Sequence, residues 1–136
     1  MIKLVYCIRR HPSLSREQFH EYWVPAHAGL IKSHADALGA IRYVQSHTME
    51  SEFATASNEA RGSGLPPFDG ITEFWWEDFE AMNPAGTSAE TMVDIHRQLL
   101  EDERTFIDLE NSVIFLTEEH AIFDSGLKGH EVSAAQ

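Results

Sequence analysis

The sequence predicts an α+β domain, a ferredoxin-like four-stranded antiparallel sheet with helices on one face, and three observations lead there. Four short segments alternate with the period of a strand, two longer ones repeat with the period of a helix, and their order is β-α-β-loop-β-α-β. The chain has 136 residues, 43% of them hydrophobic, which suits one domain with a real core and not two.

Ile2 to Ile8 (IKLVYCI) sets Ile2, Leu4, Tyr6 and Ile8 against Lys3, Val5 and Cys7, a strand with two usable faces that ends before Pro12. Ser15 with Gln18 forms a capping-box pattern, and Phe19, Trp23, Ala26 and Leu30 follow at helical spacing, which predicts a helix from Arg16 into the low thirties. Pro25 lies inside it and removes a backbone donor, so a bend is expected near Glu21 to Trp23. Beyond Gly39, Ile41 to His47 is rich in β-branched and aromatic residues and reads as the second strand, with Tyr43 and His47 on one face.

The segment 48–68 is long for a loop in a compact domain and reads as a flap, with Met49 to Ala60 able to form a short helix. Asp69-Gly70 signals a turn, and Ile71 to Trp76 is the third strand, with Ile71, Glu73 and Trp75 opposite Thr72, Phe74 and Trp76. After a break at Asn83 to Gly86, Thr87 with Glu90 suggests a second capping box. Met92, Ile95, Leu99 and, after a kink or turn, Phe106 give the apolar stripe of a second long helix. Ser112 to Thr117 is the fourth strand. The domain is taken as 1–123 and the remainder, 124–136, as a polar tail that is mobile or meets a partner. Helices on one face leave the other bare, yet both strand faces carry bulky apolar residues, so a second subunit is expected to cover it as a homodimer.

The net charge is −12, with 10 Lys and Arg against 22 Asp and Glu. Residues 1–34 carry +3, from Lys3, Arg9, Arg10, Arg16 and Lys32 against Glu17 and Glu21, so the rest carries −15. No nucleic-acid partner is expected from such a balance. Cys7, the single cysteine, forms no internal disulfide and no multi-thiolate metal site, which suits a reducing, cytoplasmic setting. No apolar run reaches the ~20 residues of a membrane span, and Met1 to Ile8 is too short and too interrupted by Lys3 for a secretory segment. Eight histidines are scattered without metal-ligand spacing, and no phosphate loop, dinucleotide fingerprint or nucleophile elbow is present; neither metal nor cofactor is expected.

Several of these residues recur as a combination. Arg9-Arg10 before Pro12, Phe19-x2-Tyr22-Trp23-x3-His27-Ala28, Tyr43-Val44-Gln45-x-His47, Phe68-Asp69-Gly70 opening a strand, and Asp102-Glu103-x2-Phe106 together resemble the EthD family over about residues 1–120. The resemblance implies a dimeric α/β barrel, two ferredoxin-like units packed sheet to sheet with a cavity between sheet and helices or within the barrel. It also implies proton-transfer chemistry on an aromatic or oxygenated small molecule, the theme shared by decarboxylases, dehydratases, cyclases, isomerases and cofactor-free monooxygenases of this architecture. The placement of Pro25 and the long 48–68 segment depart from many members, so the choice of substrate does not carry over.

His27 is the leading candidate for general acid or base, an imidazole on an apolar helix face beside Trp23; the competing reading is a packed histidine bonded to backbone freed by Pro25. His47 and Tyr43 stand about 13 Å apart at strand rise and are expected to line opposite ends of one cavity, where they would polarise a carbonyl or phenol. Asp69 either orients a histidine or makes the turn, the turn being favoured. Glu73, mid-strand, needs a cation such as Arg42 or Arg9. Asp102 and Glu103 oppose the dipole of their helix, and a structural salt bridge is favoured over capping a partner's loop or bonding a histidine across the fold. Trp23, Phe74, Trp75, Trp76 and Phe106 could stack on a flat ligand, although a core role is the default for most of them. The function expected is a cofactor-independent lyase or isomerase acting on an aromatic or polyketide-like compound. The alternative is a dimeric binding or accessory protein supporting an oxygenase in the breakdown of organic compounds.

Overall fold

Four strands pair antiparallel in the order β2-β3-β1-β4 in the computed structural model, which describes residues 1–126. Most of the tail 124–136 lies outside the described residues. The strands are β1 (Ile2–Ile8), β2 (Arg42–His47), β3 (Gly70–Trp76) and β4 (Val113–Glu118). In β1, Tyr6 sits opposite Thr72 of β3 and Ile114 of β4, and Gln45 of β2 sits opposite Thr72. Partners in register share a face, so Leu4, Tyr6, Thr72, Phe74, Tyr43 and His47 point to the helix side. Lys3, Val5, Cys7, Glu73 and Trp75 point away from it.

The helix expected from Arg16 is present in pieces: α1 (Arg16–Tyr22), a π-helical turn (Trp23–His27), α2 (Ala28–Ser33) and, after a break at His34, α3 (Ala35–Leu38). The capping box forms as expected, Ser15 Oγ accepting from the Gln18 N–H at 3.1 Å and Gln18 Oε1 from the Ser15 N–H at 2.9 Å. The distortion takes the form of a π-turn centred on Pro25, slightly beyond the expected bend at Glu21 to Trp23. Pro25 has no N–H to donate, and the Ala28 N–H closes a wider ring on the Trp23 carbonyl. The extra residue in that turn carries His27 inward, where it is 6% exposed. Gly39 ends α3 in the left-handed region at φ 71°, and a Cβ there would come within 2.2 Å of the Ala81 carbonyl.

Within 48–68 the segment Glu52–Ala60 forms α4, capped by Ser51 and lying at the surface. The ends of this excursion are tied down, since Thr48 Oγ1 donates to the Phe68 carbonyl at 2.6 Å and Arg9 Nη1 to the Pro66 and Pro67 carbonyls at 3.1 and 3.2 Å. The second long helix, α5 (Ala89–Phe106), runs unbroken through Phe106 and has Ser88 as its N-cap, not Thr87. Ser88 is extended and its Oγ accepts from the Thr91 N–H at 3.1 Å, whereas the Thr87 N–H is already used by the Pro84 carbonyl in the preceding turn.

Ile8, Phe19, Trp23, Phe106 and Ile107 form the core. Trp23 lies so close to the start of β3 that a Cβ on Gly70 would stand 2.3 Å from the indole, so only glycine fits there. On the far side of the sheet Lys3 and Arg42 lie over the Trp75 ring, and Glu73 pairs with Lys3 at 2.9 Å. The cation expected for Glu73 was Arg42 or Arg9; Lys3 takes it because Val5, directly opposite Glu73, brings its neighbour two along the strand within reach on the same face. Val113 and Phe115 on this face remain 49% and 45% exposed. Among the described residues no helix is long and apolar enough to cross a membrane.

Candidate active site

A cavity of about 480 Å³ opens between the helix side of the sheet and α2, α3 and α5. Its wall is mostly apolar, with Leu4, Ile31, Leu38, Phe74, Trp76 and Leu99 among the contributors. Four polar side chains face the same space from different elements: Tyr6 from β1, Thr72 from β3, His27 from the π-turn and Glu103 from α5, while Asn83 and His96 stand exposed at the rim.

Three of these groups, His27, Tyr6 and Glu103, are held in two hydrogen-bonded sets. His27 Nδ1 lies 2.7 Å from Asp102 Oδ2, and the Tyr22 hydroxyl donates to Asp102 Oδ1 at 2.5 Å. Because a carboxylate only accepts, this pairing assigns the imidazole proton to Nδ1 and leaves the Nε2 lone pair without a hydrogen-bond partner among the described residues. The Tyr6 hydroxyl donates to Glu103 Oε1 at 3.0 Å. Asp102 and Glu103 are adjacent on α5, so one turn of helix supplies the partner of the histidine and a second carboxyl.

His27 is thus where the sequence places it, at a cavity beside aromatic residues, but His47 and Tyr43 are not on that wall. The His47 ring stacks on Trp23 at 4.6 Å and on His20 at 4.4 Å, and its Nε2 lies 2.9 Å from Gln45 Oε1. Gln45 Nε2 donates to the Tyr43 hydroxyl at 2.8 Å and to the Trp23 carbonyl, which also accepts the Ala28 N–H of the π-turn, at 3.1 Å. The expected sharing of one cavity by His27, His47 and Tyr43 therefore does not occur. The face was read correctly, but β2 is an edge strand and the rings of α1 and the π-turn fill the space over it.

Of the other candidates, Trp23 and Phe106 are core, with Phe106 5.1 Å from the His27 ring. Trp75 and Glu73 face the opposite side of the sheet from the cavity. Asp69 is 4% exposed and binds no histidine through its carboxylate, which accepts from the Arg10 N–H at 2.9 Å, Arg10 Nη1 at 2.6 Å and Arg16 Nε at 3.1 Å; its carbonyl lies 2.9 Å from His20 Nε2. Asp102 makes the bond to a histidine across the fold, a less favoured expectation, and pairs with no lysine or arginine among the described residues. Tyr6, Thr72 and Glu103 were not expected at the site; the signal for Glu103 was two acids placed against a helix dipole. Among the described residues no group of three or more His, Cys, Asp or Glu is placed to hold a metal ion.

Residues 11–110 match the EthD domain. The chain belongs to the EthD family. Comparison with curated proteins gives no match. Among solved structures, an EthD family protein from Bacillus halodurans is 18% identical with a TM-score of 0.56, covering 88% of this chain and 99% of its own. An EthD-like protein from Ralstonia eutropha is 17% identical with a TM-score of 0.58, covering 91% and 96%. HapK from Hahella chejuensis is 10% identical with a TM-score of 0.54, covering 93% and 100%. At these identities the likeness is one of fold.

In this EthD domain burial shifts two of the titratable groups on the cavity wall, His27 and Glu103, in opposite directions. Burial holds the His27 imidazole below the ordinary histidine range, opposed by the bond and charge of Asp102. Burial also lifts the Glu103 carboxyl above the ordinary range; the Tyr6 hydrogen bond opposes this and the Asp102 charge adds to it. An imidazole kept neutral with a free lone pair and a carboxyl biased toward its protonated form are a base and an acid on one apolar wall.

Proposed function

We propose that this EthD domain is a cytoplasmic small-molecule enzyme, a cofactor-independent lyase or isomerase that works by proton transfer on an aromatic or polyketide-like compound. The observation that carries the reading is the His27–Asp102 pair, 2.7 Å apart, with His27 on the wall of a mainly apolar cavity of about 480 Å³. His27 takes and returns the proton. Asp102 fixes its tautomer and stabilises the imidazolium, and Tyr22 fixes Asp102. His47 and Tyr43 take no part in the proton transfer; they support Trp23 and β2.

Thermal-shift measurements against phenolic and lactone compounds test this, with His27→Ala as control. A ligand at 100 times its Kd contributes about 2.7 kcal/mol, on the order of 10 °C for a domain of this size. The shift is expected for the wild type, together with conversion of the compound that His27→Ala does not perform. If no compound shifts the wild type, the reading fails. Equal shifts with no conversion by either protein would leave a carrier that shields an apolar molecule.

We also infer that a second copy covers the open sheet face, where Val113, Phe115 and Val5 would otherwise stay in water. Light scattering should give the mass of two chains, and Phe115→Glu should give the mass of one.

A further inference from the structure

We propose that Glu103 is carried as a neutral carboxylic acid that donates a hydrogen bond to an oxygen of the bound molecule, so that the cavity selects uncharged carbonyl or phenolic compounds over carboxylates. This deepens the function proposed above and rests on the cavity being the ligand site. The geometry carries it. Glu103 lines the cavity, and its Oε1 accepts from the Tyr6 hydroxyl at 3.0 Å, which leaves the other oxygen to hold a proton. No cation lies within salt-bridge distance of Glu103 among the described residues, and the cavity wall contains neither lysine nor arginine.

The groups around it offer no compensating charge. Tyr6 faces it from β1, Thr72 from β3 and the uncharged His27 from the π-turn, while Asp102, its neighbour on α5, carries a negative charge behind His27. His96 is at the rim and exposed. Burial without a cation favours the neutral form of a carboxyl, and the same surroundings disfavour an anionic ligand.

With an enolisable ketone the chemistry balances without a co-reactant. His27 Nε2 takes the α-proton, the C–H electron pair forms the C=C bond, the carbonyl π pair moves to oxygen, and that oxygen takes the Glu103 proton. Where the ketone carries a β,γ double bond, the enol proton returns to Glu103 as the carbonyl re-forms, the double bond moves to the α,β position and the γ-carbon takes the His27 proton, which releases the conjugated isomer and restores both side chains.

Two measurements test the proposal. Calorimetric binding at neutral pH would compare 2-acetylnaphthalene, a neutral ketone, with 2-naphthoate, which has the same ring and a charge. Wild type is expected to bind the ketone at least about tenfold more tightly; Glu103→Gln, which still donates, should stay within about threefold, and Glu103→Leu should lose about tenfold. Binding of the naphthoate as tightly as the ketone overturns this proposal alone, and binding of neither removes the proposed function with it. Independently of any ligand, the side-chain carboxyl resonance of Glu103, identified by its loss in Glu103→Gln, should titrate above the ordinary glutamate range. A resonance that ionises in the ordinary range overturns the proposal even where the cavity binds both probes.

Discussion

His27 and His47 lie on the same side of the same sheet, both packed against aromatic rings, and they are in opposite chemical situations. His27 has a carboxylate on one nitrogen and lines a cavity. His47 has an amide oxygen on one nitrogen and is stacked against the Trp23 and His20 rings. The difference comes from the third partner and not from the histidine. A carboxylate orients an imidazole and stabilises its charged form, while an amide and two rings only hold it in place. A histidine is therefore assigned a proton-transfer role by what stands behind it, and Asp102 is what stands behind His27.

The largest way to break the contrast is to remove the ring between the two sites. Trp23 is fully buried, touches Phe19 at 5.1 Å and His47 at 4.6 Å, and opens the π-turn that presents His27. Trp23→Ala should cost about 3–5 kcal/mol in urea unfolding and disturb both histidines together. Asp102→Leu comes next: it leaves the Tyr22 hydroxyl and His27 Nδ1–H without their acceptor, at about 1–3 kcal/mol, and should abolish ligand-dependent stabilisation. His47→Ala should cost only about 0.5–1.5 kcal/mol for the lost stacking and leave that ligand response intact. Should His47→Ala silence the response and Asp102→Leu preserve it, the roles assigned to the two histidines are reversed.

The sequence is informative about these sites up to the limit of local pattern. The capping box at Ser15, the alternation in β1 and β3, and the position of His27 in a helix broken by Pro25 all depend on neighbours a few residues away, and all were readable. The strand order β2-β3-β1-β4 is not local. Without it Tyr43 and His47, correctly placed on the inner face, cannot be seen to lie at an edge that aromatic rings fill. Nor is the site local: His27 meets Asp102 across 75 positions and Tyr6 meets Glu103 across 97. What the sequence did contain was a discord, two acids at the unfavourable end of a helix, and the structure explains it as a carboxylate spent on a histidine and a carboxyl facing a cavity.

The smallest effect is a titration. Burial lowers both histidines from the ordinary value of 6.5, His47 with a further contribution from the charge of His20 and His27 with an opposing one from Asp102. The folded protein consequently binds fewer protons than the unfolded chain just below pH 6.5, and stability is lost as pH falls from there toward the folded values, below which the loss stops growing. His20→Gln removes the like charge that faces His47 across a 4.4 Å stack. In proton NMR the His47 midpoint should then rise while that of His27 stays where it was. Asp102→Asn should do the converse, lowering the His27 midpoint further and leaving His47 unmoved. The two substitutions separate the sites only if each histidine answers to its own neighbour. A common movement of both midpoints in either variant would mean that the rings between them couple the two sites into one titrating unit, and the division of labour argued from Asp102 would fail.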